Sequence, residues 1–202
     1  MDKLNITSIF YSIQGEGSQV GTPTVFIRLS GCNLKCKFCD TNFGKKAELT
    51  PEEILERIKT LNKDVKDICL TGGEPLMQDI DDLLHLLHKE GYILSIETNG
   101  TYPTPENCFI SVSPKSLKCD YGTIKGADQI KFLCGFKGWE TFIENFIMKY
   151  KLYTKYSDRY FLQPIWDSKM TDDFTIQEAL KYIYKNPWMR LSVQLHKYIG
   201  EE

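Results

Sequence analysis

Three of the seven cysteines of this 202-residue chain fall within eight residues, as Cys32-x3-Cys36-x2-Cys39, inside the stretch Gly31–Thr41. Thiolates this close repel each other, and shared metal ligation is the simplest reason to hold them together. Zinc is the first alternative. A closed structural zinc site takes four protein ligands, commonly as two separated pairs, and no further Cys or His lies nearby to complete one. Three thiolates suit a [4Fe–4S] cluster with one iron left open, since a fully protein-bound cluster takes four. An open iron accepts a ligand from outside the protein, so the loop reads as a reaction site. Cys69, Cys108, Cys119 and Cys134 are scattered singly and read as inert buried thiols.

The length fits one domain spanning 1–202, and 42% hydrophobic residues supply a sizeable core. Net charge is −2 with the 25 basic residues dispersed, which leaves no nucleic-acid footprint. No apolar run reaches the length of a membrane span, and Met1–Leu4 lacks a signal-peptide core. Seven cysteines without export signals point to a reducing cytoplasm rather than a disulfide framework.

Along the chain, residues 4–13 and 24–30 read as strands; in the second, Val25, Ile27 and Leu29 share one face and Phe26 and Arg28 the other. A buried Arg28 needs a partner, because an unpaired guanidinium is costly to desolvate. Thr50-Pro51-Glu52-Glu53 opens a helix with a capping box. Strands are expected at 65–70, 92–96, 109–112, 129–133, 160–162 and 190–195. Helical stripes are expected around Ile80–Leu87, Trp139–Ile147 and Ile176–Ile183, and 101–128 forms a loop-rich excursion. The alternation predicts an α/β fold: a partial (β/α) barrel with about six core parallel strands and a reduced helix complement.

Loops after the strand ends converge on one face of such a sheet and bind ligands there. Gly72 and Gly73 remove side chains so that a ligand can lie on backbone, although an ordinary turn explains them equally well in isolation. Glu74 caps the following turn on the plainer reading. Ser113, Lys115 and Gln163 are polar groups at strand ends, and Lys115 read alone is a solvated charge. Asp40-Thr41 offers oxygen to a hard cation such as Mg2+, or a simple cap after the loop.

The cysteine spacing, with Phe38 before the last Cys and Thr71-Gly72-Gly73-Glu74-Pro75 downstream, resembles the radical S-adenosylmethionine (SAM) enzymes. Further motifs narrow the resemblance: Ile13-Gln14-Gly15-Glu16-Gly17, Arg28-x3-Cys32, Cys39-Asp40-Thr41, Glu97-Thr98-Asn99-Gly100-Thr101, Ser113-Pro114-Lys115, Gln163-Pro164 and Gln194-x-His196-Lys197. Together and in this order they are similar to the 7-carboxy-7-deazaguanine synthase family, from about residue 4 onward.

The resemblance implies conversion of 6-carboxy-5,6,7,8-tetrahydropterin to 7-carboxy-7-deazaguanine and ammonia, with SAM regenerated. It implies a [4Fe–4S] cluster on Cys32, Cys36 and Cys39, and Mg2+ at Thr41. It implies SAM contacts from Phe38, Asp40, Gly73, Ser113, Lys115 and Gln163. Pterin contacts are implied for Ile13, Gln14, Gly15, Arg28, Thr71 and His196, with the Glu202 carboxylate closing over the pterin. A flavodoxin-type electron donor and a homodimer follow from the same source. The alternatives are a glycyl-radical activating enzyme, which needs no Arg28, and a non-enzymatic metal-binding module.

Overall fold

The computed structural model describes residues 2–122, 124–152, 158–166 and 173–201. Its strands are β1 (Leu4–Ile13), β2 (Pro23–Leu29), β3 (Ala47–Leu49), β4 (Asp67–Gly72), β5 (Ile93–Thr98), β6 (Phe109–Val112), β7 (Gln129–Cys134), β8 (Tyr160–Pro164) and β9 (Arg190–Leu191). All join one sheet, ordered β3-β1-β2-β4-β5-β6-β7-β8-β9. From β2 to β9 every pairing is parallel, and β1 runs antiparallel to β2 and β3. Six full strands and the two-residue β9 therefore make the parallel core, as the alternation predicts for a partial barrel.

Helices α1 (Pro51–Leu61), α2 (Asp81–Lys89), α3 (Trp139–Tyr150) and α4 (Asp173–Lys185) pack on the sheet, and α5 (Leu195–Ile199) follows β9. The expected capping box opens α1: Glu53 N donates to Thr50 Oγ1 at 3.3 Å and Thr50 N to Glu53 Oε2 at 2.8 Å. No α-helix joins β5 to β6 or β6 to β7 among the described residues, which is the reduced helix complement.

Register separates the two faces. Ile27, Leu70, Ile96 and Ile110 align on the face the helices cover, and all four are buried. The opposite face carries Arg28 beside Thr71, Glu97 beside Ser111, and Ser111 beside Gln129. Lys131 and Gln163 lie on the same face, a polar surface turned inward. Such groups stay buried only when hydrogen-bonded or paired.

Three expectations need correction. β3 is too short to show as a period-2 pattern, and nothing in the sequence reading anticipates it. The strand expected over 190–195 stops at Leu191: Ser192 N still donates to Leu162 O of β8 at 2.9 Å, but Leu195 N turns away to Gly15 O at 2.9 Å. His196 therefore sits in α5 rather than beyond a strand end. Glu202 lies outside the described residues.

Candidate active site

Two adjoining cavities open at the C-terminal ends of the parallel strands. The first, about 520 Å³, is lined by Cys32, Cys36, Phe38, Cys39, Gly73, Ser113, Lys115 and Gln163. The second, about 430 Å³, is lined by Ile13, Gln14, Arg28 and His196. Glu16, Asp40, Thr41, Thr71, Glu97 and Gln194 line both and form the wall between them. The residues expected at cluster and SAM thus gather in one cavity, those expected at the pterin in the other, and Thr41 stands at the junction. Gly15 is the exception: it seats His196, since a Cβ on Gly15 would lie 2.1 Å from His196 Nδ1.

The cysteine loop leaves β2 at Gly31 and returns at β3. Gly31 N donates to Phe43 O at 3.0 Å and closes it, and Cys39 N donates to Cys36 O at 3.2 Å within it. Phe38 stacks on Phe136, with ring centroids 5.2 Å apart. Burial pushes the Cys32 and Cys36 thiols above the ordinary thiol range, and Cys39 adds to the rise in both. Among the described residues no three His, Cys, Asp or Glu form an arrangement for a metal ion. The loop brings three thiols to one cavity, not to one point. A cubane cluster is bound at separate irons, so its thiolates stand apart, and this donor set fits a cluster with an open iron.

Gly72 and Gly73 line the first cavity and also meet a packing demand. A Cβ on Gly72 would stand 2.1 Å from Leu29 O, and one on Gly73 would stand 1.8 Å from Gly31 O. The glycines let the turn press on the backbone that enters the cysteine loop, where Glu74 N donates to Gly31 O at 2.9 Å. Glu74 is wholly buried and accepts from Thr98 Oγ1 and Asn99 N, each at 2.7 Å, and from Leu76 N at 3.1 Å. It caps its own turn and ties it to the next one.

The sequence reading missed the wall. Lys131, buried on β7, donates to Glu16 and to Glu97, the latter at 2.8 Å. Gln194 Nε2 donates to Glu16 Oε1 at 2.9 Å. Burial pushes the Glu16 carboxyl up, but the charge and hydrogen bond of Lys131 outweigh that and hold it at about 2. Burial disfavours the Lys131 charge, and the two carboxylates more than restore it, raising its pKa. The available signal was a lysine between Ile130 and Phe132 inside an apolar strand.

Gln163 reaches the first cavity, but its Oε1 is occupied by Ser192 Oγ at 2.9 Å. Asp40 is ion-paired to Lys197 of α5. Burial raises the Asp40 carboxyl, and Lys197 overrides this to hold it below the usual carboxylate range.

A polar-faced, mainly parallel open sheet with a three-thiol loop at its strand ends belongs among the radical SAM enzymes, and the Radical SAM superfamily profile matches residues 26–110. Their cofactors are a [4Fe–4S] cluster and SAM. Nearly the whole chain matches narrower relatives. It is 38% identical over 196 residues to the 7-carboxy-7-deazaguanine synthase of Bacteroides thetaiotaomicron, covering 96% of each chain. It is 35% identical to that of Haemophilus influenzae, covering 98% of this chain and 94% of the relative. The crystal structure of QueE from Escherichia coli superposes with a TM-score of 0.78 at 28% identity, covering 96% of this chain and 95% of that one. This chain belongs to the 7-carboxy-7-deazaguanine synthase family. None of these three relatives is a glycyl-radical activating enzyme or a zinc module. No described helix is long and apolar enough to cross a membrane.

Proposed function

We propose that the chain, as one radical SAM domain, converts 6-carboxy-5,6,7,8-tetrahydropterin to 7-carboxy-7-deazaguanine and ammonia in the biosynthesis of queuosine and other 7-deazapurines. The observation that carries this reading is the pair of cavities with one shared wall, which sets a cofactor beside a substrate. Cys32, Cys36 and Cys39 hold the cluster, which when bound supplies the electron that opens SAM and begins hydrogen abstraction from the pterin.

The protein's own groups do the binding. Lys115 Nζ donates to Ser113 Oγ at 2.7 Å and meets no carboxylate among the described residues. Burial disfavours its charge, with Lys131 adding to the effect, so an anionic ligand is favoured there; SAM brings its carboxylate. Phe38, Leu133, Ile165 and Trp166 supply apolar walls for the adenine.

In the second cavity the Arg28 guanidinium lies over the Phe10 ring, 5.4 Å from its centroid, and forms no ion pair among the described residues. It takes the pterin carboxylate as a bidentate charge-assisted pair. Gln14 and Thr71 face the pterin edge. His196, held below its ordinary pKa by burial, adds a neutral imidazole that donates once and accepts once. Thr41 would offer one hydroxyl to Mg2+, a hard cation that accepts oxygen ligands. A flavodoxin-type donor, a homodimer and a cytoplasmic location complete the reading.

Anaerobic reconstitution with iron and sulfide, then incubation with SAM, reductant, Mg2+ and the pterin, tests it. The expected outcome is 7-carboxy-7-deazaguanine without stoichiometric 5′-deoxyadenosine. SAM cleavage with no change in the pterin would sink the reading.

A further inference from the structure

Tyr121 lies in the 101–128 stretch that reads as a loop-rich excursion, yet it is fully buried. Its phenol oxygen accepts from the Lys115 amide at 2.9 Å and the Ser116 amide at 3.1 Å. A phenol has two acceptor sites, and here both go to one turn. The ring itself is held firmly. Phe146 and Tyr150 of α3 meet it edge-on, with centroids 5.1 and 5.6 Å away. Gly100, at φ +80°, completes the seat: a Cβ there would stand 2.5 Å from Val112 Cγ1 and 3.2 Å from Tyr121 Cδ1. Burial pushes the phenol up to about 12, so it remains a neutral acceptor.

The turn it holds is the one that carries Lys115. Upstream the turn is pinned to the sheet, by Ser113 N on Thr98 O at 2.9 Å and Ser113 Oγ on Lys131 O at 3.1 Å. Downstream both amide donors go to the phenol. The backbone is thus fixed on either side of the residue whose ammonium reaches into the first cavity.

We propose that Tyr121 is a positioning residue for SAM: it fixes the backbone that aims Lys115 Nζ and so sets where the SAM carboxylate is held. The proposal rests on the reading that Lys115 binds SAM in the first cavity.

Equilibrium binding of SAM to the reconstituted protein, with a double-mutant cycle, tests both levels. Lys115→Met should weaken SAM binding by itself. Tyr121→Phe takes the shared acceptor from two part-buried amides and should raise the SAM Kd about tenfold while iron content and pterin Kd stay as in wild type. In the Lys115→Met background the same change should cost almost nothing further. Hydrogen exchange without SAM should show lost protection at the Lys115 and Ser116 amides. If Tyr121→Phe does not fold, Ser116→Pro removes one donor, leaves the phenol intact and carries the same cycle. Unchanged SAM affinity in Tyr121→Phe, or an equal loss with and without Lys115, overturns the proposal and spares the reading of the cavity. Unchanged affinity in Lys115→Met overturns the reading beneath it.

Discussion

The two cavities share a wall and differ in almost everything else. The first combines apolar surfaces, Phe38, Ile165 and Trp166, with Lys115, a lysine that meets no carboxylate among the described residues. The second is lined by Gln14, Arg28, Lys46, His196 and Glu201, groups that read a polar edge. Apolar surfaces beside such an ammonium suit a base and an amino-acid carboxylate. A dense set of donors and acceptors suits a heterocycle whose every edge must be recognised. Glu16–Lys131–Glu97 keeps the two cavities in register, because one ammonium holds a carboxylate from the loop after β1 and another from strand β5.

The harshest way to break the comparison is to disable the first cavity alone. Cys32→Ala, Cys36→Ala or Cys39→Ala should each abolish SAM cleavage, seen as loss of product and of bound iron, while circular dichroism stays as in wild type. Activity retained in any one of them would remove that residue from the ligand set.

Lys131→Met attacks the wall and should damage both sides. It strands two carboxylates in a buried position, which costs about 3–5 kcal/mol, measurable by denaturant unfolding. In the wild type the depressed Glu16 pKa contributes stability above the ordinary Glu value of 4.5, and that contribution is lost as pH falls through about 2. In Lys131→Met burial is no longer opposed and that contribution is absent, so the stability gap between variant and wild type should narrow as pH falls from the ordinary Glu value of 4.5 through about 2. A gap that stays constant over that range would mean that the wall does not stabilise the fold.

Arg28→Lys sharpens the contrast. It keeps the charge and loses the fork, so the pterin Kd should rise about tenfold, the result of losing roughly 1.4 kcal/mol, while the SAM Kd stays within error. Equal losses in both affinities would give Arg28 a structural role. Thr41→Ala, at the junction, should have the smallest effect: turnover lowered severalfold and its Mg2+ response flattened, with iron content intact. A wild-type Mg2+ response would leave Thr41 as a cap.

The parallel core and the cysteine loop were legible because their signals are local. Alternation in Val25–Leu29, the Thr50–Glu53 capping box and the cysteine spacing each occupy one short window. Lys131 was not legible, because its partners lie 115 and 34 positions away and no window contains them. Tyr121 escaped for a related reason: the glycines and prolines around it signal a loop, and what buries it is α3, more than fifteen residues downstream. Gly72 and Gly73 were found, but the backbone packed against them was not, since sequence shows a missing side chain without showing what presses into the space.

The ion pair between Lys197 and Asp40 spans 157 positions, and the bond from Gln194 to Glu16 spans 178. Synthesis at about 5–20 residues per second delivers the cysteine loop roughly 8–30 s before the lysine that latches it. During that interval the thiols are made without α5 behind them, so iron and sulfide delivered to the nascent chain meet an unlatched loop.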